Sequence, residues 1–243
     1  MRLALTKGGY AARFAATVAD IAAAQALRHL AFFGREGVDA DGYDAACRHL
    51  LVEEVATRRL VACCRVLPLE AGQIGRSYSA QYYELSALEA FEGAMLEVGR
   101  FCVAPGLHDP DILRIAWGVL TAYVDENEVG MLFGCSSFAG TDAADYLDAF
   151  AMLKERHLAP GRWLPRVKAP QVFRFAKRLR RKPDVKQAMR RMPPLLKTYL
   201  MMGGWVSDHA VVDAQMDTLH VFTGLEIAAI PPARKRLLRA VAA

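Results

Sequence analysis

One stretch near the middle of the chain most limits the fold. Residues 94–105, "AMLEVGRFCVAP", are rich in strand-forming side chains and end at a proline. Residues 109–129 follow with the apolar spacing of a helix, and Asp109 is the expected N-cap. Residues 129–140, "VGMLFGCSSFAG", predict a second strand. A strand, a crossover helix and a second strand favour parallel pairing and an α/β layer fold.

The rest of the chain is consistent with a large globular domain. Patterning predicts helices over about residues 11–33, 81–91 and 142–157, and strands over 59–69 and after residue 208. Hydrophobic residues make up 53% of the 243 residues, which is enough for a substantial core. No run approaches the roughly 18 apolar residues of a membrane span, and the N-terminus does not have the uninterrupted apolar centre of a secretory signal. We therefore expect one cytoplasmic domain over residues 1–243.

Charge inside the first strand indicates a site. Glu97 and Arg100 stand three residues apart, and such positions point to opposite faces of a regular strand. A bulge would bring them to one face, and Gly99 between them is a residue that tolerates one. A bulge would also turn a backbone N–H towards a carbonyl oxygen that gains negative charge during a reaction. The motif therefore predicts Glu97 and Arg100 as catalytic residues.

The strand–helix–strand arrangement resembles the core of the GCN5-type N-acetyltransferases. The resemblance implies a GCN5-related N-acyltransferase-like α/β fold, in which helices flank a central mixed sheet and two parallel strands splay apart. In that fold an acyl-pantetheine arm enters the gap and pairs with the free backbone of the first strand. The implied acyl and pantetheine contacts in this chain are Phe101, Cys102, Val103, Ser136 and Ser137.

A longer ordered set of residues resembles the acyl-homoserine-lactone synthases. The set comprises Arg28 and Phe32 in "RHLAF", Asp41 and Asp44 in "DADGYD", Arg65 in "CCRVLP", Glu97 and Arg100. Those synthases move an acyl chain from acyl carrier protein to an amine. The tryptophan that usually follows the first aromatic residue is replaced here by Gly34 and Arg35, which disfavours S-adenosylmethionine as the acceptor.

A third resemblance covers nearly the whole chain. Residues 96–118, 130–142 and 192–222 are similar to the ornithine-lipid N-acyltransferases, and "PLLKTYLMMGGWVSDHAVVD", residues 194–213, is the most specific part. The resemblance implies transfer of a 3-hydroxy fatty acyl chain from acyl carrier protein to the α-amine of ornithine, which gives lyso-ornithine lipid. Transfer to glutamine or glycine, and homoserine-lactone synthesis, remain alternatives.

The chemistry suggests a role for each residue. An α-ammonium group must lose a proton before it attacks a thioester, so Glu97 is the expected general base, directly or through a water. Arg100 would orient Glu97 or bind the acceptor's carboxylate. Aspartates would attract the acceptor's cationic groups and Arg65 could hold its carboxylate. The expected acceptor-binding set is Arg28, Asp41, Asp44 and Arg65. No metal, bound cofactor or covalent enzyme intermediate is required.

The loop after the first strand favours a carrier-protein donor. Coenzyme A users of this type carry a glycine-rich loop whose N–H groups hold the pyrophosphate. The corresponding loop here, "APGLHDPD", has one glycine and two aspartates, which would repel a pyrophosphate. Carrier protein delivers the acyl-phosphopantetheine arm as a co-substrate and has no such pyrophosphate to bind.

A basic segment indicates an anionic partner. Residues 162–191 contain twelve Lys or Arg and one acid. Within them "QVFRFAKRLRR" predicts an interfacial amphipathic helix that contacts acidic carrier protein or an anionic membrane. The expected contacts are Arg174, Lys177, Arg178, Arg180, Arg181 and Lys182. A non-catalytic basic module that binds membrane or nucleic acid is the alternative. Nucleic-acid binders usually interleave exposed aromatics with bases across a surface or show a recognised module, whereas here the basic stretch is local and the rest of the chain carries enzyme-like charges.

Overall fold

The structure is a computed structural model that describes residues 4–242. The strands are β1 (Ala4–Lys7), β2 (Tyr10–Phe14), β3 (Arg48–Glu54), β4 (Leu60–Leu69), β5 (Tyr83–Glu84), β6 (Ala94–Val103), β7 (Val129–Ala139), β8 (Arg166–Val167), β9 (Val172–Phe173), β10 (Trp205–Val206), β11 (Ala210–Asp213) and β12 (Thr218–Glu226). The helices are α1 (Val18–Phe33), α2 (Pro110–Glu126), α3 (Leu147–Arg156), α4 (Phe175–Arg178), α5 (Val185–Arg191), α6 (Pro194–Met201) and α7 (Pro232–Ala242).

The chain divides into two compact units. Unit 1 comprises Met1–Pro68, Val98–Val129 and Pro232–Ala243. Unit 2 comprises Leu69–Glu97 and Gly130–Pro231. The boundary therefore falls inside β6, directly after Glu97, so the first half of this strand belongs to unit 2 and the second half to unit 1.

Unit 1 is a sheet covered by helices on both faces. Its strand order is β1-β2-β3-β4-β6, and the first four strands pair antiparallel. Leu51 on β3 packs with Ala24 and Leu27 of α1. Phe14, on the opposite face, lies 5.4 Å from the ring of Tyr123 in α2. Burial of these apolar side chains stabilises the unit by about 1.5–3 kcal/mol for each fully buried large residue.

Unit 2 has its own sheet and core. Its strand order is β6-β7-β12-β11-β9, and β10 also pairs with β12. β12 pairs antiparallel with β7 along its full length, from Thr218 opposite Ala139 to Glu226 opposite Met131. A cluster from this sheet and from helices α3 to α6 forms the core on one face: Phe138, Phe150, Leu153, Phe175, Leu196, Leu219 and Val221.

The irregularity expected at Gly99 lies one residue later. Arg100 has a φ of +53°, whereas Gly99 does not have a positive φ. A non-glycine residue in this left-handed region is strained by roughly 1 kcal/mol or more, and it persists only where surrounding contacts hold it. The left-handed residue of β6 is therefore Arg100, directly after Gly99, and its side chain contacts Asp39 within unit 1.

The predicted helix over residues 11–33 is a strand followed by a helix. Tyr10–Phe14 pair with β3, and α1 starts only after Thr17. Thr17 caps the helix: its hydroxyl accepts from the Asp20 N–H at 3.1 Å, and the Asp20 carboxylate accepts from the Thr17 N–H at 3.1 Å. The sequence is alanine-rich on both sides of this cap, so its apolar spacing did not reveal the change.

The predicted helix over residues 81–91 is also wrong. This segment holds the two-residue strand β5 and a short 3₁₀ turn over Ser86–Ala90. The side chain of Tyr83 is fully buried, and its hydroxyl donates to the His220 carbonyl at 2.8 Å. Tertiary contacts of this kind override a weak local helical preference.

The amphipathic helix predicted within residues 171–181 is wrong as well. Helix is confined there to the four residues of α4. Phe175 is fully buried, and Phe173 lies 5.5 Å from the ring of Phe150 in the core of unit 2. The apolar side chains face protein, because periodicity alone does not distinguish a core face from a membrane face. Within residues 4–242, no helix combines the length and the hydropathy needed to cross a bilayer.

Candidate active site

Unit 1 contains a buried network of arginines and aspartates contributed by α1, the loop after it, β4 and β6: Arg28, Asp39, Asp41, Asp44, Arg65 and Arg100. The side chains of Arg28 and Arg65 are 1% and 3% exposed. Asp44 joins them: its carboxylate accepts from Arg28 at 2.9 and 3.0 Å and from Arg65 at 3.0 Å. Gln25 donates to the same carboxylate at 2.9 Å. These contacts compensate the cost of burying the charges.

Asp41 is the most open carboxylate of the network. It accepts two hydrogen bonds from Arg65, at 2.6 and 2.7 Å, and its side chain is 27% exposed. Burial by itself would raise the pKa of Asp41, but the Arg65 guanidinium outweighs burial and lowers that pKa below its usual value. The pKa of Asp44 is lowered further, because Arg28 outweighs burial there. Both carboxylates are therefore ionised at neutral pH.

Asp39 connects Arg28 to Arg100. Its Oδ2 accepts from Arg28 Nε at 2.8 Å and from Arg100 Nε at 3.2 Å. Its backbone carbonyl also accepts from Arg28. Arg100, at the irregular position of β6, is thereby joined to the same network as Arg65 and Asp44.

Unit 2 holds Glu97 in a different way. The residue is 4% exposed. Its Oε2 accepts from the Tyr78 N–H at 2.7 Å, and its Oε1 accepts from the Ser79 N–H at 2.7 Å and the Ser79 hydroxyl at 2.6 Å. These donors hold the carboxylate in a fixed orientation.

Further polar side chains of unit 2 adjoin the segment that holds Glu97. Cys135 Sγ lies 3.4 Å from the Ser79 hydroxyl oxygen. Burial raises the pKa of Tyr82 and lowers the pKa of His220 to about 4, so both side chains are uncharged at neutral pH. The phenol of Tyr82 and the imidazole of His220 pack edge to face at 4.9 Å.

Comparisons with known proteins identify the family to which the chain belongs. The family described as the acetyltransferase (GNAT) domain matches residues 27–118. The L-ornithine N(alpha)-acyltransferase of Rhodobacter capsulatus is 34% identical over 230 residues, which cover 87% of this chain and 88% of that protein. This chain belongs to the L-ornithine N(alpha)-acyltransferase family. The member from Brucella abortus is 30% identical over 239 residues, which cover 90% of this chain and 85% of that protein.

A solved structure supports the fold of this L-ornithine N(alpha)-acyltransferase family member. An N-acyl amino acid synthase from uncultured soil microbes aligns over 96% of each chain, with a TM-score of 0.51 and 11% sequence identity. At that identity the likeness concerns the fold alone. The predictions of a GCN5-related N-acyltransferase-like fold and of the family are confirmed.

The expected pantetheine contacts on β6 differ in exposure. Phe101 and Val103 are half-buried. Cys102 is 6% exposed and packs under α1, with its Sγ 3.6 Å from that of Cys63. The side chain of Cys102 therefore faces the core of unit 1, and this family member would have to use the backbone of Cys102 for any contact with a donor.

The expected contacts on β7 also differ from each other. Ser136 is buried, and its hydroxyl oxygen accepts from the Thr223 hydroxyl at 2.9 Å. Ser137, the next residue, is exposed. Successive side chains of a strand point to opposite faces, so these two serines do not act on the same side of the sheet.

The six basic residues singled out from the sequence are all exposed: Arg174, Lys177, Arg178, Arg180, Arg181 and Lys182. Two of them contact other side chains of unit 2, the unit to which the whole segment belongs. Arg181 pairs with Asp148 at 2.7 Å, and the Arg178 guanidinium lies 6.0 Å from the ring centre of Phe173. The rest of the set presents positive charge to solvent.

Sequence reasoning missed several residues that touch the predicted set, among them Asp39 and Ser79. Asp39 stands two residues before Asp41, so its place in the same acidic loop was the available signal. Ser79 gave no signal, because its contact with Glu97 uses a backbone N–H and a common hydroxyl. Over residues 4–242, no group of three or more His, Cys, Asp or Glu side chains is arranged to hold a metal ion.

Proposed function

We propose that this protein transfers a 3-hydroxy fatty acyl chain from acyl carrier protein to the α-amine of ornithine. The observation that carries the proposal is the 34% identity to an L-ornithine N(alpha)-acyltransferase, because it extends over 87% of this chain. The reaction joins the amine nitrogen to the acyl carbonyl carbon and releases the pantetheine thiol. Lyso-ornithine lipid is the product.

The acceptor binds at the more open members of the unit 1 network. Arg28 and Arg65 are covered, whereas Asp41 is 27% exposed and Arg100 is 14% exposed. Asp41 attracts the side-chain ammonium of ornithine, and Arg100 pairs with its carboxylate. Arg28 and Arg65 hold Asp44 and Asp41 in place rather than touching the acceptor.

Glu97 takes the proton. Attack on the thioester requires a neutral amine, so the ammonium first gives a proton to the Glu97 carboxylate, directly or through a water. As the tetrahedral intermediate collapses, the C–S bond breaks and the nitrogen gives its second proton to the departing thiolate; Glu97 afterwards releases the first proton to solvent. Ser79 and Tyr78 keep the carboxylate oriented through their three hydrogen bonds.

The donor is carrier-bound, and the exposed bases of residues 174–182 dock it. The loop "APGLHDPD" lacks the glycines that hold a pyrophosphate. A membrane contact is less well supported, because Phe173 and Phe175 pack in the core of unit 2. All five cysteines are free thiols, which suits the cytoplasm.

The acceptor is tested by competition. Purified protein is incubated with a 3-hydroxyacyl carrier protein and equal amounts of isotope-labelled ornithine, glutamine and glycine, and the lipid extract is analysed by tandem mass spectrometry. We expect an ornithine conjugate acylated on the α-nitrogen. A dominant glutamine or glycine conjugate would refute the assignment of the acceptor. The same acyl chain on coenzyme A is the donor control, and equal catalytic efficiency would refute the preference for carrier.

The docking surface is tested by charge reversal. Lys177→Glu with Arg180→Glu should raise the KM for acyl carrier protein about tenfold and leave transfer from a small acyl-pantetheine thioester unchanged. Raising the salt concentration should mimic the change, because the screening length falls to about 8 Å at 0.15 M. Arg59→Glu with Arg236→Glu is the matched control, since both residues are exposed in unit 1. Equal effects of the two pairs would show that net charge, not a docking surface, matters.

A further inference from the structure

Asp39 bridges a buried arginine and the irregular residue of β6. The side chain of Asp39 is 11% exposed. One oxygen, Oδ2, accepts from the Nε atoms of both Arg28 and Arg100, at 2.8 and 3.2 Å. The Arg28 guanidinium also donates to the backbone carbonyl of Asp39, which fixes the loop as well as the carboxylate.

Arg100 needs such support. Its φ of +53° lies in a region that non-glycine residues rarely occupy. Residues held in this region persist where neighbouring contacts determine them, and they are frequent at functional sites. The same residue carries the guanidinium assigned above to the acceptor's carboxylate, so its backbone and side chain must be fixed together.

Asp39 is better placed than Asp41 to hold Arg100. The Arg100 Nε hydrogen-bonds to Asp39, whereas the approach of Arg100 Nη2 to Asp41 is 3.7 Å, longer than a hydrogen bond. Both oxygens of Asp41 accept from Arg65 at 2.6 and 2.7 Å. The contact with Asp39 is therefore the directional one.

We propose that Asp39 is a positioning residue: it holds the Arg100 side chain and, through it, the left-handed conformation of β6 at Arg100. Asp39 does not touch the substrate and acts on the reaction through Arg100. The inference rests on the proposed acyl transfer to ornithine for its kinetic consequence. The physical link between the two residues is independent of that function.

A double-mutant cycle tests the link. Asp39→Asn keeps the size of the side chain and removes its charge. Arg100→Gly removes the guanidinium, and glycine adopts the observed φ without strain, so this variant should fold. We expect Asp39→Asn to lower kcat/KM for ornithine roughly tenfold in the parent protein and less than twofold in the Arg100→Gly background. An equal loss in both backgrounds would overturn the proposal.

Asp20→Asn is the matched control for a purely structural effect. Asp20 also pairs with an arginine, Arg13, and its side chain is 16% exposed. This variant should lower stability while leaving kcat/KM within twofold of the parent. A loss of kcat/KM equal to that of Asp39→Asn would mean that the kinetic effect of Asp39→Asn reflects stability and would overturn the positioning role.

The same cycle measured by urea unfolding separates the two claims. Asp39→Asn should increase the unfolding equilibrium constant in both backgrounds. We expect the factor of increase to be about ten times smaller in the Arg100→Gly background than in the parent. Absence of coupling in unfolding would overturn the inference, even if the parent acylates ornithine. A parent that forms no acyl-ornithine, but shows the coupling, would instead refute the proposed function and leave the link between the two residues established.

Discussion

The two units hold their buried carboxylates by opposite means. In unit 1, Asp44 accepts three hydrogen bonds from guanidinium groups. In unit 2, Glu97 accepts three hydrogen bonds from backbone N–H groups and a hydroxyl. Both residues are less than one-tenth exposed, so the guanidinium groups around Asp44, rather than burial, distinguish the two.

The arginine partners limit what the carboxylates of unit 1 can do. A carboxylate paired with arginine has its charge compensated and its pKa lowered, which suits structure and electrostatic binding and opposes proton uptake. The donors to Glu97 hold its carboxylate in a fixed orientation. In the proposed function, the network of unit 1 binds the acceptor and Glu97 takes the proton.

The largest effect should come from breaking the network of unit 1. Arg28→Met removes the partner of Asp39 and Asp44 and leaves buried carboxylates uncompensated, so the free energy of unfolding should fall by about 3–5 kcal/mol. Urea unfolding gives the value. Arg13→Met is the control, because Arg13 pairs with two acids but is 33% exposed, and it should cost about 1 kcal/mol or less. Equal losses would contradict the view that burial makes the network important.

Buried histidines should make the protein sensitive to acid before the aspartates of unit 1 do, because burial lowers the pKa of both His49 and His220. The pKa of His220 falls from 6.5 to about 4 in the folded protein, so below pH 6.5 the unfolded chain binds a proton that the folded chain does not. Stability should drop by roughly 3 kcal/mol between pH 6.5 and 4. Asp41 and Asp44 have lowered pKa values, so their contribution persists through this range and declines only below about pH 4.

Replacing His220 tests this account. His220→Gln should flatten the decline in stability between pH 6.5 and 4, measured by urea unfolding at several pH values. His108→Gln, at an exposed histidine, should leave the decline as in the parent. Parallel curves for the parent and His220→Gln would show that other groups cause the acid sensitivity.

A smaller effect is expected from a single neutral donor to Glu97. Ser79→Ala removes the hydroxyl at 2.6 Å and keeps the N–H, so kcat should fall about tenfold, the scale of one hydrogen bond to a charged group. Ser207→Ala is the matched control: its buried hydroxyl donates to a backbone carbonyl at 2.7 Å. Steady-state kinetics should show kcat of the control within twofold of the parent, and an unchanged kcat in Ser79→Ala would remove the hydroxyl from the mechanism.

The sequence revealed those parts of the fold and site that depend on local spacing. The strand–helix–strand pattern around Glu97 and Arg100 predicted the fold, and the acidic loop predicted Asp41 and Asp44. It did not reveal Asp39 as the partner of Arg100, because that contact joins residues 61 positions apart. The distortion at Arg100 instead of Gly99 was equally hidden, since tertiary contacts rather than propensity maintain it.

The burial of Phe173 and Phe175 illustrates a second limit. An apolar face flanked by bases has the same pattern whether it meets a membrane or a protein core. Only the packing against Phe150 in unit 2 distinguishes the two cases. The charge of this segment therefore predicted its exposed surface. Its apolar spacing did not predict that α4 is short or that Phe173 and Phe175 pack inside unit 2.

The most direct test of the division between the units compares Glu97→Gln with Asp41→Asn under saturating acyl carrier protein. Kinetics across a range of ornithine concentrations give kcat and KM for each. The account predicts that Glu97→Gln lowers kcat about a hundredfold, the scale of losing a general base. Asp41→Asn should instead raise the KM for ornithine about tenfold with kcat nearly unchanged. A wild-type kcat in Glu97→Gln, or a loss of kcat in Asp41→Asn as large as that expected for Glu97→Gln, would contradict it.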